Sequence, residues 1–479
     1  MRASSNQSNY YLGGIWQKSQ RQVALYFPYD GSEIAQVAEL SLAEIQQAID
    51  SSQQAFHEYA ATPAWNRAEI LYRTAEIIAG KKKELAEIIA WETAKPIRYA
   101  LGEMERTMQT YRFSAEEAKR LEGKSIPMDA AQNGESRLAF TVKRPIGVVA
   151  AITPFNFPFN LVAHKVGPAL AAGNTVVLKP AEQTPLSAIA LLEILEEAGL
   201  PAGAVNLIPA RGEVAGQALS ASKHIAKISF TGSPRVGELL ANSCGLKRLT
   251  LELGSDSSVV IAEDAELTEE LLQKVVQGAF AFSGQVCISI QKIFVHKSLY
   301  TKFVDAFLKT ASALKIGSPF ESSTDISAMI SESSLQRVEE WLEEAVSQGA
   351  KVLLGGKRYN SRIFPPTVLQ DVPPSVRLYQ EEVFAPVCCL QSYSELSEVV
   401  EKINSSKYGL QTGIFSNRLQ ESLAFAEKLQ VGGVHINEIP TFRLDHFPYG
   451  GVKLSGVGKE GVPYAVQQML QEKLISIRL

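Results

Sequence analysis

From residue 41 the chain spaces its apolar side chains at helical intervals. Ser41-Leu42-Ala43-Glu44 has the spacing of a capping box and opens a predicted helix through Tyr59. Ile70, Ile77, Ile78, Leu85, Ile88 and Ile89 mark a second helix over about 66–90, and a third runs over about 97–120, its charges forming a solvated face. Beyond residue 146 the pattern changes to short apolar runs alternating with amphipathic stretches. Residues 146–152, 175–178, 204–208, 225–230 and 249–253 read as strands, with helices over 161–172, 185–198, 213–221 and 235–242 between them. Thr184-Pro185 is a helix start, the threonine hydroxyl as N-cap and proline at the first helical position. A second alternating block covers 267–437, with strands at 289–296, 384–390 and 413–415 and a helix at 335–348. Strand–helix alternation implies right-handed crossovers and parallel sheets covered on both faces. Two such blocks predict an α/β protein of two lobes with a cleft between them.

Length supports that division, since 479 residues exceed one ordinary core and predict two or three domains. The hydrophobic share of 46% and charged share of 20% belong to a globular chain. A net charge of −4 provides no basic field for nucleic acid and no polybasic patch for a membrane surface. The apolar region 146–179 is broken by Pro154, Asn156, Pro158, His164 and Gly173, which argues against a spanning helix. The polar N-terminus lacks the apolar stretch of a signal peptide. Four cysteines, Cys244, Cys287, Cys388 and Cys389, show neither zinc spacing nor disulfide density, and the six histidines show no metal spacing. The expectation is a cytoplasmic protein with reduced thiols and no metal.

In such sheets ligands bind beyond the carboxyl ends of the strands, where several short segments converge. Thr153-Pro154-Phe155-Asn156-Phe157-Pro158 stiffens the backbone around one amide, either as a rigid turn or as a fixed N–H donor for an oxyanion. Cys287, in Ser283-Gly284-Gln285-Val286-Cys287, is either a small buried hydrophobe or a nucleophile in a polar setting. Glu252, between Leu251 and Leu253, is either a solvated residue of an alternating strand or a general base with a raised pKa. Phe230-Thr231-Gly232-Ser233 with Gly237 makes a strand-to-helix turn whose N–H groups suit a pyrophosphate, though its spacing is neither GxGxxG nor a P-loop. Lys179 and Glu182 end another strand, where an acid can accept ribose hydroxyls and disfavours a 2′-phosphate. His164 and His296 read as packed or surface groups.

Taken in order, these segments resemble the aldehyde dehydrogenase superfamily nearly end to end, from Tyr11-Leu12-Gly13-Gly14-Ile15-Trp16 to the last strand. The set also includes Lys179-Pro180-Ala181-Glu182-Gln183, Leu251-Glu252-Leu253-Gly254, Glu381-Glu382-Val383-Phe384-Ala385-Pro386 and Pro448-Tyr449-Gly450-Gly451. The resemblance implies that Cys287 attacks an aldehyde, Asn156 and the Cys287 N–H hold the oxyanion, and Glu252 activates the water that hydrolyses a thioester. It implies NAD, preferred, or NADP as cofactor. The positions it assigns to that cofactor are Thr153, Pro154, Phe155, Lys179, Glu182, Gly212, Phe230, Thr231, Gly232, Ser233, Gly237, Glu382 and Phe384.

The fold implied is a Rossmann-like cofactor domain (1–120 and 145–253), an α/β catalytic domain (254–446) and a small β oligomerisation arm (121–144 and 463–479). A homodimer or homotetramer follows from such an arm. The chain departs from many relatives at Ser255-Asp256-Ser257, Phe155, Ala210 and Arg211. Gln285-Val286-Cys287-Ile288-Ser289 and Pro440-Thr441-Phe442-Arg443 are similar to the branch of lactaldehyde, phosphonoacetaldehyde and non-phosphorylating glyceraldehyde-3-phosphate dehydrogenases. Arg106 and Arg443 match anion-contacting positions there, with a helix-surface role the alternative for Arg106. A small polar, lactaldehyde-like aldehyde is the expected substrate. A CoA-acylating dehydrogenase, a silent structural homologue and a thiol esterase are the competing readings.

Overall fold

The computed structural model describes Asn6 and residues 8–479. Two sheets organise it. The first has the order Gly456–Val457, Arg248–Glu252, Ile225–Thr231, Val148–Ile152, Thr175–Lys179, Val205–Leu207, parallel throughout except for its first member. Val148–Ile152 and Thr175–Lys179 are buried at every position, because helices cover both faces. The chain builds outward from Val148–Ile152 in one direction and then returns to add Ile225–Thr231 on its other side. The carboxyl ends of those two strands therefore diverge around a crevice.

The second sheet runs Lys351–Leu354, Thr367–Gln370, Val387–Tyr393, Lys292–His296, Ser258–Ile261, Gln411–Phe415, Gly433–Ile436, also parallel apart from its first strand. A third, three-stranded sheet pairs Leu470–Arg478 with Arg137–Pro145 and Ser125–Ile126. Its strands expose Leu138, Leu474 and Ile477. Helix Val462–Gln468, just before it, packs instead on the helices Asn160–Ala172 and Ile97–Ala118. No described helix is long and apolar enough to cross a membrane.

The N-terminal helices form as their spacing predicts. Ser41 and Glu44 make the reciprocal capping box of helix Leu42–Ala61, and Ala64–Thr93 and Ile97–Ala118 follow. Four short strands precede them, Asn9–Leu12 paired with Ile15–Lys18 and Gln22–Tyr26 with Glu33–Ala38, which the apolar pattern did not reveal.

Three local expectations need correction. Thr184 precedes helix Pro185–Glu197, but its hydroxyl makes no cap; the buried Glu92 carboxylate accepts the N–H groups of Leu186 and Ser187 instead. The strand expected from 289 begins at Lys292, because the Ser289 hydroxyl turns back to the Ala279 carbonyl at 3.0 Å. The strand expected from 384 begins at Val387, since Phe384 is left-handed (φ +50°).

Candidate active site

The segment 153–158 leaves the central strand of the first sheet under several restraints. The Thr153 N–H donates to the Lys179 carbonyl at 3.1 Å. The wholly buried Lys95 donates to the Asn156 main-chain carbonyl at 2.6 Å and pairs with Glu103. Glu103 accepts the N–H groups of Phe159 and Asn160 at 2.9 and 3.2 Å, fixing the start of the next helix. The rings of Phe157 and Phe282 flank the ammonium at 3.9 and 4.5 Å. From this scaffold Asn156 Nδ2 donates to the Gln285 carbonyl at 3.0 Å, while its Oδ1 is buried without a partner.

Gln285 belongs to the loop that presents the thiol. Helix Glu269–Phe280 ends, and Phe282, Ser283 and Gly284 all take positive φ (50°, 53° and 67°). Left-handed backbone costs a non-glycine residue about 1–2 kcal/mol, and tertiary bonds hold it here. The Ser283 hydroxyl donates to the Ser327 carbonyl at 2.9 Å, and Gln285 Oε1 accepts the Ile330 N–H at 3.0 Å. A Cβ on Gly284 would lie 2.0 Å from the Ala385 carbonyl oxygen, so only glycine fits. The loop delivers Cys287, half-buried, to a cavity of about 520 Å³. Burial pushes the thiol up to about 12, with Glu382 and Glu252 adding to the shift and Arg443 opposing it. At neutral pH it rests protonated.

Glu252 is the last residue of its strand and only 3% exposed, which excludes the solvated-face reading. Both carboxylate oxygens are buried without a hydrogen-bond partner. Burial and the charge of Glu460 push its pKa well above the ordinary range. Glu460 goes the other way. Burial works against its ionisation, but Lys165 at 2.6 Å and Arg443 at 3.2 Å hold it down to about 2. The environment thus pushes the two carboxyls apart, Glu460 toward its ionised form and Glu252 toward its protonated one.

Arg106 and Arg443 both line the cavity of Cys287. Arg106 pairs with Asp445 at 2.7 Å, and Asp445 also meets His164 at 2.8 Å. Burial disfavours the Asp445 charge, yet His164 and Arg106 hold its pKa below the usual carboxylate range. Arg443 lies over the Tyr449 ring at 3.6 Å. The Nε of each arginine is buried without a partner. Phe157, Phe282, Ile439 and Phe442 supply apolar wall. His296 is buried and bonds Ser298 and the Ser394 carbonyl.

The remaining predicted positions gather along the crevice. Lys179 is 5% exposed, its Nζ 3.9 Å from Glu182 Oε1, and that oxygen accepts the Gly212 N–H at 2.7 Å. Phe230 and Thr231 end their strand, and the Gly232 N–H donates to the Glu252 carbonyl at 3.0 Å, tying the turn to the acid. A Cβ on Gly232 would strike the Phe230 ring at 2.4 Å. Ser233 precedes helix Pro234–Ser243 without using its hydroxyl as a cap, and Gly237 lets that helix approach Leu253.

The second sheet contributes Glu382 and Phe384 from across the cleft. Glu382 accepts the Ser255 N–H at 3.0 Å, and Phe384 meets Phe155 edge-on at 5.9 Å. Burial pushes Glu382 up to about 7. A Cβ on Gly254 would sit 2.7 Å from its Oε2, so a larger residue there would push the carboxylate aside. A buried cation beside a carboxylate, uncapped helix N–H groups and glycines at the close approaches fit a dinucleotide. Among the described residues no cluster of three or more His, Cys, Asp or Glu suits a metal.

Sequence reading missed Lys95, Glu103, Lys165, Asp445 and Glu460. One signal was present. Lys165 sits among apolar residues of helix Asn160–Ala172, every position of which is buried, and a lysine there requires a partner.

Comparison with known proteins adds an independent line. The model of the aldehyde dehydrogenase family matches residues 16–475. A 3-sulfolactaldehyde dehydrogenase from Priestia aryabhattai is 43% identical over 469 residues, covering 98% of both chains. A lactaldehyde dehydrogenase from Methanocaldococcus jannaschii is 39% identical, covering 98% of this chain and 99% of its own. Among solved structures, glyceraldehyde-3-phosphate dehydrogenase GapN from Methanocaldococcus jannaschii, complexed with NADP, superposes with a TM-score of 0.92 at 39% identity. It covers 96% of this chain and 100% of its own.

Proposed function

This chain belongs to the aldehyde dehydrogenase family, whose enzymes use NAD or NADP, and we propose that it oxidises a small polar, lactaldehyde-like aldehyde through a thioester on Cys287. The observation that carries the reading is the grouping around the Cys287 thiol of a fixed amide, Asn156, bonded to the same loop at Gln285, and a buried carboxyl, Glu252, whose charge acts on the thiol. Cys287 adds to the carbonyl carbon, its proton passing to a base as the C–S bond forms. The Asn156 amide and the Cys287 N–H stabilise the alkoxide; one such donor contributes roughly 3–4 kcal/mol. Bound nicotinamide supplies the hydride acceptor. Glu252, once ionised, takes a proton from the water that hydrolyses the thioester, which splits one difficult step into two.

Lys179 and Glu182 would hold the adenosine ribose, the turn 230–233 with Gly212 and Gly237 the phosphates, and Glu382, Phe384 and segment 153–155 the nicotinamide end. Glu182 favours NAD, because a 2′-phosphate would face its carboxylate. For the substrate, Arg106 and Arg443 spend part of their charge on Asp445 and Glu460 while each keeps one buried Nε–H unused. That balance suits a hydroxyl or a single anionic substituent better than a dianionic phosphate. Glu252 argues against CoA acylation, which dispenses with a hydrolytic base. The exposed apolar residues of the three-stranded sheet support a homodimer or homotetramer. A panel of lactaldehyde, sulfolactaldehyde, glyceraldehyde 3-phosphate and decanal, each with NAD and with NADP, tests the reading. Greatest efficiency with lactaldehyde and NAD is expected; equal efficiency on decanal would overturn it.

A further inference from the structure

Residues 381–386 lead from the short helix Arg377–Gln380 into strand Val387–Tyr393 without helix or strand structure of their own. The carbonyl and N–H groups of such backbone have to find partners where it is buried, and here one side chain supplies three. The buried Gln291 donates its amide to the carbonyls of Leu378 and Glu381 at 3.1 and 2.7 Å, and its oxygen accepts the Val383 N–H at 3.0 Å. Both ends of the amide are thereby committed, and they bracket Glu382. The main chain of Gln291 is fixed as well. Its N–H donates to the Ser257 carbonyl at 2.9 Å, and its carbonyl accepts the Cys389 N–H at 2.8 Å. The Ser257 and Ser255 hydroxyls meet at 3.0 Å, and the Ser255 N–H is the one that Glu382 accepts. Gln291, Ser257, Ser255 and the loop of Glu382 thus close a ring of bonds around that carboxylate. Arg337 adds a further pin, donating to the Val383 carbonyl at 2.8 Å.

Gln291 stands four residues beyond Cys287, at the entry to strand Lys292–His296. The charge of Glu382 acts on the Cys287 thiol, and Phe384, two residues on, meets Phe155 beside Asn156. One amide therefore joins the segment that bears the nucleophile to the loop that bears the nicotinamide end of the cofactor site. We infer that Gln291 is a positioning residue for hydride transfer, holding Glu382 where its carboxylate accepts the nicotinamide ribose hydroxyls and so setting the nicotinamide against Cys287. The inference rests on the cofactor assignment proposed above. Gln291 does not line the cavity of Cys287 and acts only through the loop it braces. A misplacement of about 1 Å in such a support can cost about 10²-fold in rate.

The test compares wild type, Gln291→Met, Gln291→Glu, Glu382→Ala and the double variant Gln291→Met with Glu382→Ala. Methionine keeps the length of glutamine without its amide, and glutamate turns a carboxylate toward the Leu378 and Glu381 carbonyls. Calorimetric titration sets NAD beside ADP, which has the adenosine and the diphosphate but no nicotinamide ribose. In both Gln291 variants NAD affinity should fall about tenfold, while ADP binds as in wild type and so reports an intact cofactor domain. Single-turnover release of reduced nicotinamide at saturating NAD should fall by about 10–10²-fold. Iodoacetamide should still alkylate Cys287 of the cofactor-free variants at close to the wild-type rate, because Asn156 and the Ser327 carbonyl hold that loop independently. In the Glu382→Ala background Gln291→Met should cost no further NAD affinity. Wild-type NAD affinity in Gln291→Met, equal weakening of NAD and ADP, loss of thiol alkylation, or losses that add in the double variant would overturn the inference and leave Gln291 a brace of the fold. Wild-type NAD affinity in Glu382→Ala would instead overturn the cofactor assignment beneath it.

Discussion

Asn156 donates its side-chain amide to the main-chain carbonyl of Gln285, 3.0 Å away, and so joins the oxyanion segment to the nucleophile loop two residues before Cys287. The donor is held by its scaffold and needs no reorganisation when charge develops on a nearby oxygen. Asn156→Ala should therefore lower the single-turnover rate by about 10²–10³ with little effect on cofactor affinity. Stopped-flow release of reduced nicotinamide, beside a cofactor titration, checks both.

Gly284→Ala probes the loop itself. The new Cβ would meet the Ala385 carbonyl at 2.0 Å with the backbone at φ +67°. Cys287 has to move, so oxidation and hydrolysis should both be lost, with destabilisation of about 1–3 kcal/mol. Denaturant unfolding and single-turnover kinetics measure the two effects.

The Lys95–Glu103 pair has no exposure to water. Removing one partner leaves a buried charge uncompensated, and Lys95→Met or Glu103→Gln should each cost about 3–5 kcal/mol. The double variant should cost less than the sum of the two. A double-mutant cycle on unfolding free energy gives the coupling.

The architecture was largely legible because parallel strands buried on both faces read as unbroken apolar runs. Residues 175–178 and 225–230 mark real strands within one residue. The N-terminal hairpins escaped because strands of four to six residues, largely half-buried or exposed, carry little apolar signal. Thr184 shows the limit of local chemistry, since a carboxylate 94 positions away from Leu186 took the capping role. In the candidate site Asn156, Glu252 and Cys287 stood out from the sequence only through the ordered set of motifs. Its charged support did not, because Lys165 and Glu460 pair across 295 positions and periodicity carries no record of that.

Glu460 gives the stability of the protein an acid-side signature. Its folded pKa, near 2, lies below the ordinary 4.5. Its ionised form therefore contributes stability in full above the ordinary value, and that contribution is lost as pH falls through the folded one. Thermal midpoints should drop between about pH 4.5 and 2, and Glu460→Gln should flatten that drop while lowering the midpoint at neutral pH. Glu252 is shifted upward, so wild-type hydrolysis should speed up as pH rises and Glu252 ionises. Tm against pH and steady-state rate against pH separate the two carboxyls.

The central claim is that Cys287 carries the acyl group and Glu252 activates the water that removes it. Mass spectrometry of Glu252→Gln, quenched after mixing with aldehyde and NAD, should find one acyl group per chain on Cys287 and one equivalent of reduced nicotinamide, with steady-state turnover lost. Undiminished turnover in that variant, or an acyl group anywhere but Cys287, would contradict the account.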